Sequence, residues 1–250
     1  MPGGGVDFRN YQSSIPSRAD IRAVTKGVNM NSVNSNSIYG EYAEYLDKIL
    51  EDLSRRFKNY DDYVLERTGE HGFEHITTRI KSDESMREKC IRKGIPETPY
   101  SALYVNTDAI GMRIITSFVD DIYQMMDYIR SFDNSTIIEE KDYIKHAKPN
   151  GYRSYHLILG IKTDYPDVNG NEKGIYYVEI QLRTIAMDTW ASLEHKIRYK
   201  KNIADQELIS SELKRCADEL ASCELTMQTI RGMIRSKLLQ ESNSTTSNDN

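Results

Sequence analysis

The chain has 250 residues, 38% of them hydrophobic and 28% charged, with a formal net charge of −5. That length accommodates one sizeable domain with helical additions at its ends, and the acidic balance argues against a general polyanion binder. No apolar run nears the roughly 18 residues of a membrane span, and the start, Met-Pro-Gly-Gly-Gly-Val-Asp, lacks the basic and apolar regions of a signal peptide.

Residues 1–37 are rich in Gly, Ser and Asn and are expected to form a disordered arm, and 241–250 a disordered tail. Tyr42, Tyr45, Leu46, Ile49, Leu53 and Phe57 recur at three- and four-residue steps and predict an amphipathic helix over 39–57. A short strand is expected at 76–81. The following helix has Ser85 and Glu88 in capping-box spacing and Gly94 as its stop. The run 110–118 reads as a strand, and Asp120-Asp121 opens a helix to about Phe132. Strands are expected at 136–143, at 151–161 behind the Pro149-Asn150-Gly151 turn, and at 175–184, with a helix over 186–200. The order β-α-β-α-β-β-β-α predicts an α+β domain over 38–202, with a mixed, mainly antiparallel five-stranded sheet flanked by helices. Over 203–240, Leu213, Cys216, Leu220, Cys223, Met227, Ile230, Ile234 and Leu238 form an a/d-like seam. It fits a helix folded back on its own domain or a contact between subunits.

The three cysteines (Cys90, Cys216, Cys223) include no Cys-x-x-Cys and read as buried free thiols of a cytoplasmic protein. The histidines show neither zinc-like spacing nor a His-Asp dipeptide, and no Gly-x-x-x-x-Gly-Lys-Ser/Thr occurs, which excludes a structural zinc site, a His/Asp metal hydrolase and a Walker-type ATPase. Segments 79–93, 141–153 and 194–201 each carry a net +3, a distribution that suggests one converging pocket for an anion or, equally, ordinary solvated helix faces.

Chemistry on phosphate groups requires a metal between phosphates, cations around them and a carboxylate at the attacking hydroxyl. Asp108 stands at a strand entrance beside Gly111. The period of two places Tyr177, Glu179, Gln181 and Arg183 opposite Val178, Ile180 and Leu182, as a site wall or a half-solvated strand. Tyr152, beside a glycine turn, can stack on a purine, and Arg79, Lys81, Arg87 and Lys89 flank a helix mouth that favours phosphate.

Taken in order, the motifs Arg79-Ile-Lys-x-x-x-Ser85, Asp108-Ala-Ile-Gly-Met-Arg-Ile-Ile-Thr116, Asp142-Tyr-Ile, Lys148-Pro-Asn-Gly-Tyr-Arg-Ser-Tyr-His156, Val178-Glu-Ile-Gln-Leu-Arg-Thr184 and Ala186-Met-Asp-Thr-Trp-Ala-Ser-Leu-Glu-His-Lys-Ile-x-Tyr-Lys200 resemble the synthetase domain of the RelA/SpoT family. The resemblance runs from about Tyr39 to Leu238 and is strongest to the small alarmone synthetases of the RelQ type. It implies a nucleotidyltransferase-like fold and Mg²⁺-dependent transfer of the β,γ-diphosphate of ATP to the ribose 3′-hydroxyl of GDP or GTP, with GMP a further candidate.

On the matching positions, the resemblance implies that Asp108 and Glu179 hold Mg²⁺ and that Glu179 also activates the hydroxyl. Arg79 and Arg113 would sandwich adenine, while Lys81, Ser85 and Lys89 hold the ATP phosphates. Tyr152 would stack on guanine, with Lys141, Lys148, His156, Gln181 and Asp188 lining the acceptor site. Asp188 stands where small members often have Asn, and Lys141 where an arginine is usual. A homotetramer, a (p)ppGpp effector site and single-stranded RNA binding are implied in the same way, as is synthesis without hydrolysis, since no hydrolase or regulatory domain is seen. The competing expectations are a relative acting on adenine nucleotides or tRNA 3′ ends, and a non-catalytic RNA- or nucleotide-binding regulator.

Overall fold

Leu46, Ile49, Leu50, Leu53 and Phe57 are all buried, and their spacing winds helix α1 (Ala43–Thr68) onto the core. The computed structural model describes residues 37–198 and 206–246. The arm expected at 1–37 therefore lies outside the described residues apart from Ser37, as do Tyr199 and Lys200. Helix α1 outruns the expected span because Tyr60 continues its inner face, stacked on Tyr128 at 4.4 Å, until Gly69 ends it at φ 75°.

Strand β1 (His75–Ile80) leads into α2 (Asp83–Lys93). The cap of α2 is Ser82, whose Oγ accepts from the Ser85 N–H at 3.3 Å, so Ser85 sits inside the first turn and is not the capping residue. Gly94, at φ 65°, is the stop expected. Strand β2 (Ile110–Thr116) is followed by α3 (Val119–Arg130), β3 (Ser135–Asp142), β4 (Tyr155–Lys162), β5 (Ile175–Thr184) and α4 (Ile185–Arg198). This is the predicted order. Strand β4 starts at Tyr155 and not at Gly151: Gly151 takes φ 89°, and its N–H closes a turn onto the Lys148 carbonyl at 2.8 Å.

The five strands stand in the order β1-β2-β5-β4-β3, with β2 and β5 parallel and the other pairs antiparallel. One face, with Ile110, Met112, Ile114, Leu157, Leu159, Val178, Ile180 and Leu182, is buried in the same core as Phe57, Met86, Cys90, Ile122, Met125 and Met126. The register aligns two polar rows on the other face. One is Thr77–Arg113–Gln181–His156–Lys141, and the next is Arg79–Gly111–Glu179–Ile158–Glu139.

The last helix, α5 (Gln206–Thr246), docks on its own domain through Leu213, Ala217, Leu220, Ala221, Glu224, Gln228 and Arg231, none of which is exposed. Leu213 and Leu220 are seam residues as expected, but the other five each follow a seam residue by one position, about 100° around the helix, so the docked face only partly overlaps the predicted stripe. Arg231 anchors it, bonding Asp121 at 2.8 Å and Glu70 at 2.6 Å with its guanidinium 4.2 Å from the Phe118 ring. Cys216, Cys223, Met227, Ile230 and Ile234 stay exposed, and the Leu238 side chain lies outside the description. Of the thiols expected to be buried, only Cys90 is, because the other two lie on this open stripe. Among the described residues no helix is long and apolar enough to cross a membrane.

Candidate active site

Asp108 enters β2 from a loop held by Asn106. The Asn106 amide donates to the Ser101 carbonyl at 3.0 Å, and Lys93 donates to its Oδ1 at 2.7 Å. Lys81 and Lys89 both reach one oxygen of Asp108, Oδ2, at 2.7 and 2.6 Å. The other oxygen, Oδ1, is buried and accepts no hydrogen bond. Burial pulls the Asp108 carboxyl up, but hydrogen bonds from the two lysines and their charges outweigh it, and the group is held below the usual carboxylate range. A buried, unpartnered carboxylate oxygen fits a hard divalent cation. Among the described residues no three His, Cys, Asp or Glu side chains gather as ligands, so phosphate or water oxygens would have to complete such a site.

Glu179 is the partner of Gly111 in the register, three residues and about 10 Å of extended chain from Asp108. Its Oε2 accepts from Gln181 at 3.2 Å and lies 3.9 Å from the Arg79 guanidinium. Arg79 lies across Gly111, where a Cβ would come within 3.3 Å of its Cγ and Nε. Arg79 and Arg113 are diagonal neighbours on one face, about 7 Å apart at the backbone, close to twice a stacking distance of ~3.5 Å. Thr77, Arg79, Gly111, Met112, Arg113, Glu179 and Gln181 line a cavity of about 220 Å³ there. Ser85 is exposed in the first turn of α2.

On the other side of Glu179, the Tyr152 hydroxyl meets His156 Nε2 at 2.7 Å and accepts from Arg183 at 2.8 Å. Lys148 lies over the Tyr143 and Tyr152 rings at 4.6 and 4.9 Å. Asp188, at the start of α4, accepts from Arg183 at 2.9 Å and lies 3.5 Å from Arg113. Arg113 is thus shared between the two clusters. Lys141 occupies the same row as His156 but is half exposed and paired with Glu139. Of the three basic segments, the first two send side chains to this face, whereas the described cation of the third, Lys196, is exposed elsewhere on α4.

Burial first, then the charges of Arg183, Lys148, Lys141 and Arg113, push the His156 imidazole down to about 4. It is neutral at physiological pH, so one ring nitrogen is an acceptor, and Nε2 in that role takes the Tyr152 proton. The unfolded ring titrates near ~6.5, so the unfolded chain binds more protons between the two values. The contribution of His156 to stability is therefore present above pH ~6.5 and is lost as pH falls towards 4. An NMR titration of the His156 ring is expected to show a midpoint near 4. A midpoint near ~6.5 would contradict this environment.

Residues missed in the sequence include Tyr143, Trp190 and the contact between α5 and the glycine turn. Trp190 Nε1 donates to the Leu213 carbonyl at 2.8 Å, and a Cβ on Gly151 would fall 2.6 Å from that of Ala217. The Gly151 turn that carries Tyr152 thus rests directly on α5. A larger cavity of about 670 Å³ beneath α5, lined by Glu70, Phe118, Ile230 and Arg231, holds none of the predicted site residues.

Residues 78–204, just over half of the chain, match the model of the region found in RelA/SpoT proteins. The chain belongs to the RelA/SpoT family. Its RelA/SpoT relatives include GTP pyrophosphokinase YwaC of Bacillus subtilis (strain 168), 42% identical over 60% of this chain and 70% of that one. GTP pyrophosphokinase YjbM of the same organism is 34% identical over 65% of this chain and 74% of that one. The crystal structure of small alarmone synthetase 1 from Bacillus subtilis bound to its product pppGpp superposes with a TM-score of 0.64 at 32% identity, covering 76% of this chain and 94% of that one. Small alarmone synthetase 2 from that organism gives 0.63 at 36%, covering 76% and 95%. The five-stranded mixed sheet with flanking helices is the RelA/SpoT small-synthetase fold.

Proposed function

We infer that the protein is a GTP pyrophosphokinase, a (p)ppGpp synthetase that transfers the β,γ-diphosphate of ATP to the 3′-hydroxyl of GDP or GTP. The observation that carries this reading is the position of Glu179 on the central strand, between an arginine-lined cleft and a tyrosine-capped basic pocket, in a chain 42% identical to a GTP pyrophosphokinase.

In this reading Arg79 and Arg113 grip adenine from two sides. Lys81, Lys89 and Ser85 hold the phosphates at the mouth of α2, whose first-turn N–H groups add to the attraction. Asp108 and Glu179 hold Mg²⁺, and the unpartnered Oδ1 of Asp108 supports that role. The ion supplies charge neutralisation on the phosphate oxygens. Lys81 and Lys89, both on Asp108 Oδ2, would turn to the same phosphates.

On the acceptor side Tyr152 stacks on guanine, flanked by Lys148, His156, Gln181, Asp188 and Lys141. Glu179 takes the proton of the 3′-hydroxyl as its oxygen bonds the β-phosphorus, and the bond from that phosphorus to the α-phosphate oxygen breaks, releasing AMP. The exposed stripe of α5, with Ile185, Leu193 and Ile197 on α4, suits a homotetramer, which light scattering would weigh. A (p)ppGpp effector and single-stranded RNA are further candidate partners, testable by equilibrium binding.

The function is tested with an acceptor panel of GMP, GDP, GTP, ATP alone and tRNA, using γ-labelled ATP and chromatography. Label in a guanine nucleotide is expected. Transfer only to adenine nucleotides or tRNA, or RNA binding without turnover, would overturn the reading.

A further inference from the structure

We propose that Arg183 is a positioning residue of the acceptor site, holding the Tyr152 hydroxyl, the Gln181 amide and the Asp188 carboxylate in one hydrogen-bonded array. The inference rests on the placement of the guanine nucleotide at Tyr152 and deepens it. Arg183 lies two residues beyond Gln181 and four beyond Glu179 on the same face of β5, at the end of the polar wall. Its side chain is only 8% exposed, an uncommon burial for a guanidinium that demands partners. Nη1 donates to Asp188 Oδ1 at 2.9 Å, while Nη2 donates to Tyr152 Oη at 2.8 Å and to Gln181 Oε1 at 3.2 Å. Its carbon also lies 5.3 Å from the Tyr152 ring centre.

The direction of these bonds follows from the donors available. Arginine only donates, so the Tyr152 oxygen accepts from it, which leaves the tyrosine proton free for His156 Nε2, 2.7 Å away. The Gln181 carbonyl oxygen likewise faces Arg183, which turns its NH₂ towards Glu179 Oε2 at 3.2 Å. One guanidinium thereby holds the stacking tyrosine and sets the orientation of the amide beside the catalytic carboxylate. Asp188 balances its charge and is itself committed to two arginines. The planar fork suits this arrangement, and a lysine ammonium cannot reproduce it.

Steady-state kinetics of Arg183→Gln, Arg183→Lys, Tyr152→Phe, Tyr152→Ala and the Arg183→Gln/Tyr152→Phe double variant test the proposal. Arg183→Gln is expected to raise the acceptor KM about tenfold or more, as loss of charge-assisted hydrogen bonds does. The ATP KM and the kcat at saturating acceptor should stay within about twofold. Arg183→Lys should fall between Gln and the parent. Tyr152→Phe keeps Arg183 in place, so its acceptor KM can be read even where an Arg183 variant folds poorly, and it too should rise. In the double variant the two effects should be less than additive, because one bond is removed twice.

Equal rises in both KM values, an unchanged acceptor KM in Tyr152→Phe, or full additivity would overturn the role of Arg183. The Tyr152→Ala control separates the two levels. If it leaves the acceptor KM unchanged, the placement of guanine at Tyr152 fails. If it raises that KM while Arg183→Gln does not, only the positioning role fails.

Discussion

Glu179→Gln is expected to lower kcat for diphosphate transfer by about 10²- to 10⁴-fold, the range lost when a positioned general base is removed. The substitution is conservative for the fold. Glu179 is on the polar face of β5, and its visible partners are the Gln181 amide at 3.2 Å and Arg79 at 3.9 Å. A glutamine oxygen can still accept from Gln181, and Val178 and Ile180, which face the core, are untouched. Melting should shift little while turnover collapses. Full turnover in a folded Glu179→Gln protein would remove Glu179 from the chemistry.

Asp108→Asn should act on both activity and stability. The carboxylate is the common anion of Lys81 and Lys89, and all three side chains are between 16% and 18% exposed. An asparagine leaves the two ammonium groups facing each other without a counter-charge, at a cost of about 2 kcal/mol after allowing for partial exposure. The Mg²⁺ concentration for half-maximal rate should rise, and turnover should drop by at least ~10²-fold, as for loss of a metal's charge stabilisation.

The acid limb of stability gives a second readout. Because Asp108 is held below its unfolded value of ~3.9, its contribution is present above that pH and lost as the folded value is passed. The variant should therefore lose less stability than the parent between pH 4 and lower values. Unchanged turnover and Mg²⁺ dependence would contradict the assignment.

The element order and the polar face of β5 were legible because each rests on local periodicity. Glu179, Gln181 and Arg183 fall opposite Val178, Ile180 and Leu182 by alternation alone. The two rows across five strands were not legible, since register depends on which strands pair, and the parallel β2–β5 contact joins segments far apart in sequence. The same limit hid the role of Arg183: its alternation placed it on the wall, but only burial against Tyr152 and Asp188 reveals it as a hub. On α5, the apolar stripe was visible, yet only its Leu213 and Leu220 dock, beside the small and polar Ala217, Ala221, Glu224, Gln228 and Arg231. Ala217 fits against Gly151 because neither side chain extends beyond Cβ, and Arg231 finds two carboxylates at once. Hydrophobicity alone cannot report such a fit. Ser82 rather than Ser85 caps α2 for a similar reason, since either serine satisfies a cap in sequence and the chain's entry into the helix decides between them.

In a GTP pyrophosphokinase a diphosphate moves as a unit from ATP to a guanine nucleotide. The most direct test follows both products in one reaction containing ATP, GDP and Mg²⁺. One AMP is expected for each guanine product, with the β- and γ-phosphates of ATP recovered together on the ribose 3′-oxygen. ADP as the coproduct, or AMP with free pyrophosphate and no modified guanine nucleotide, would contradict it.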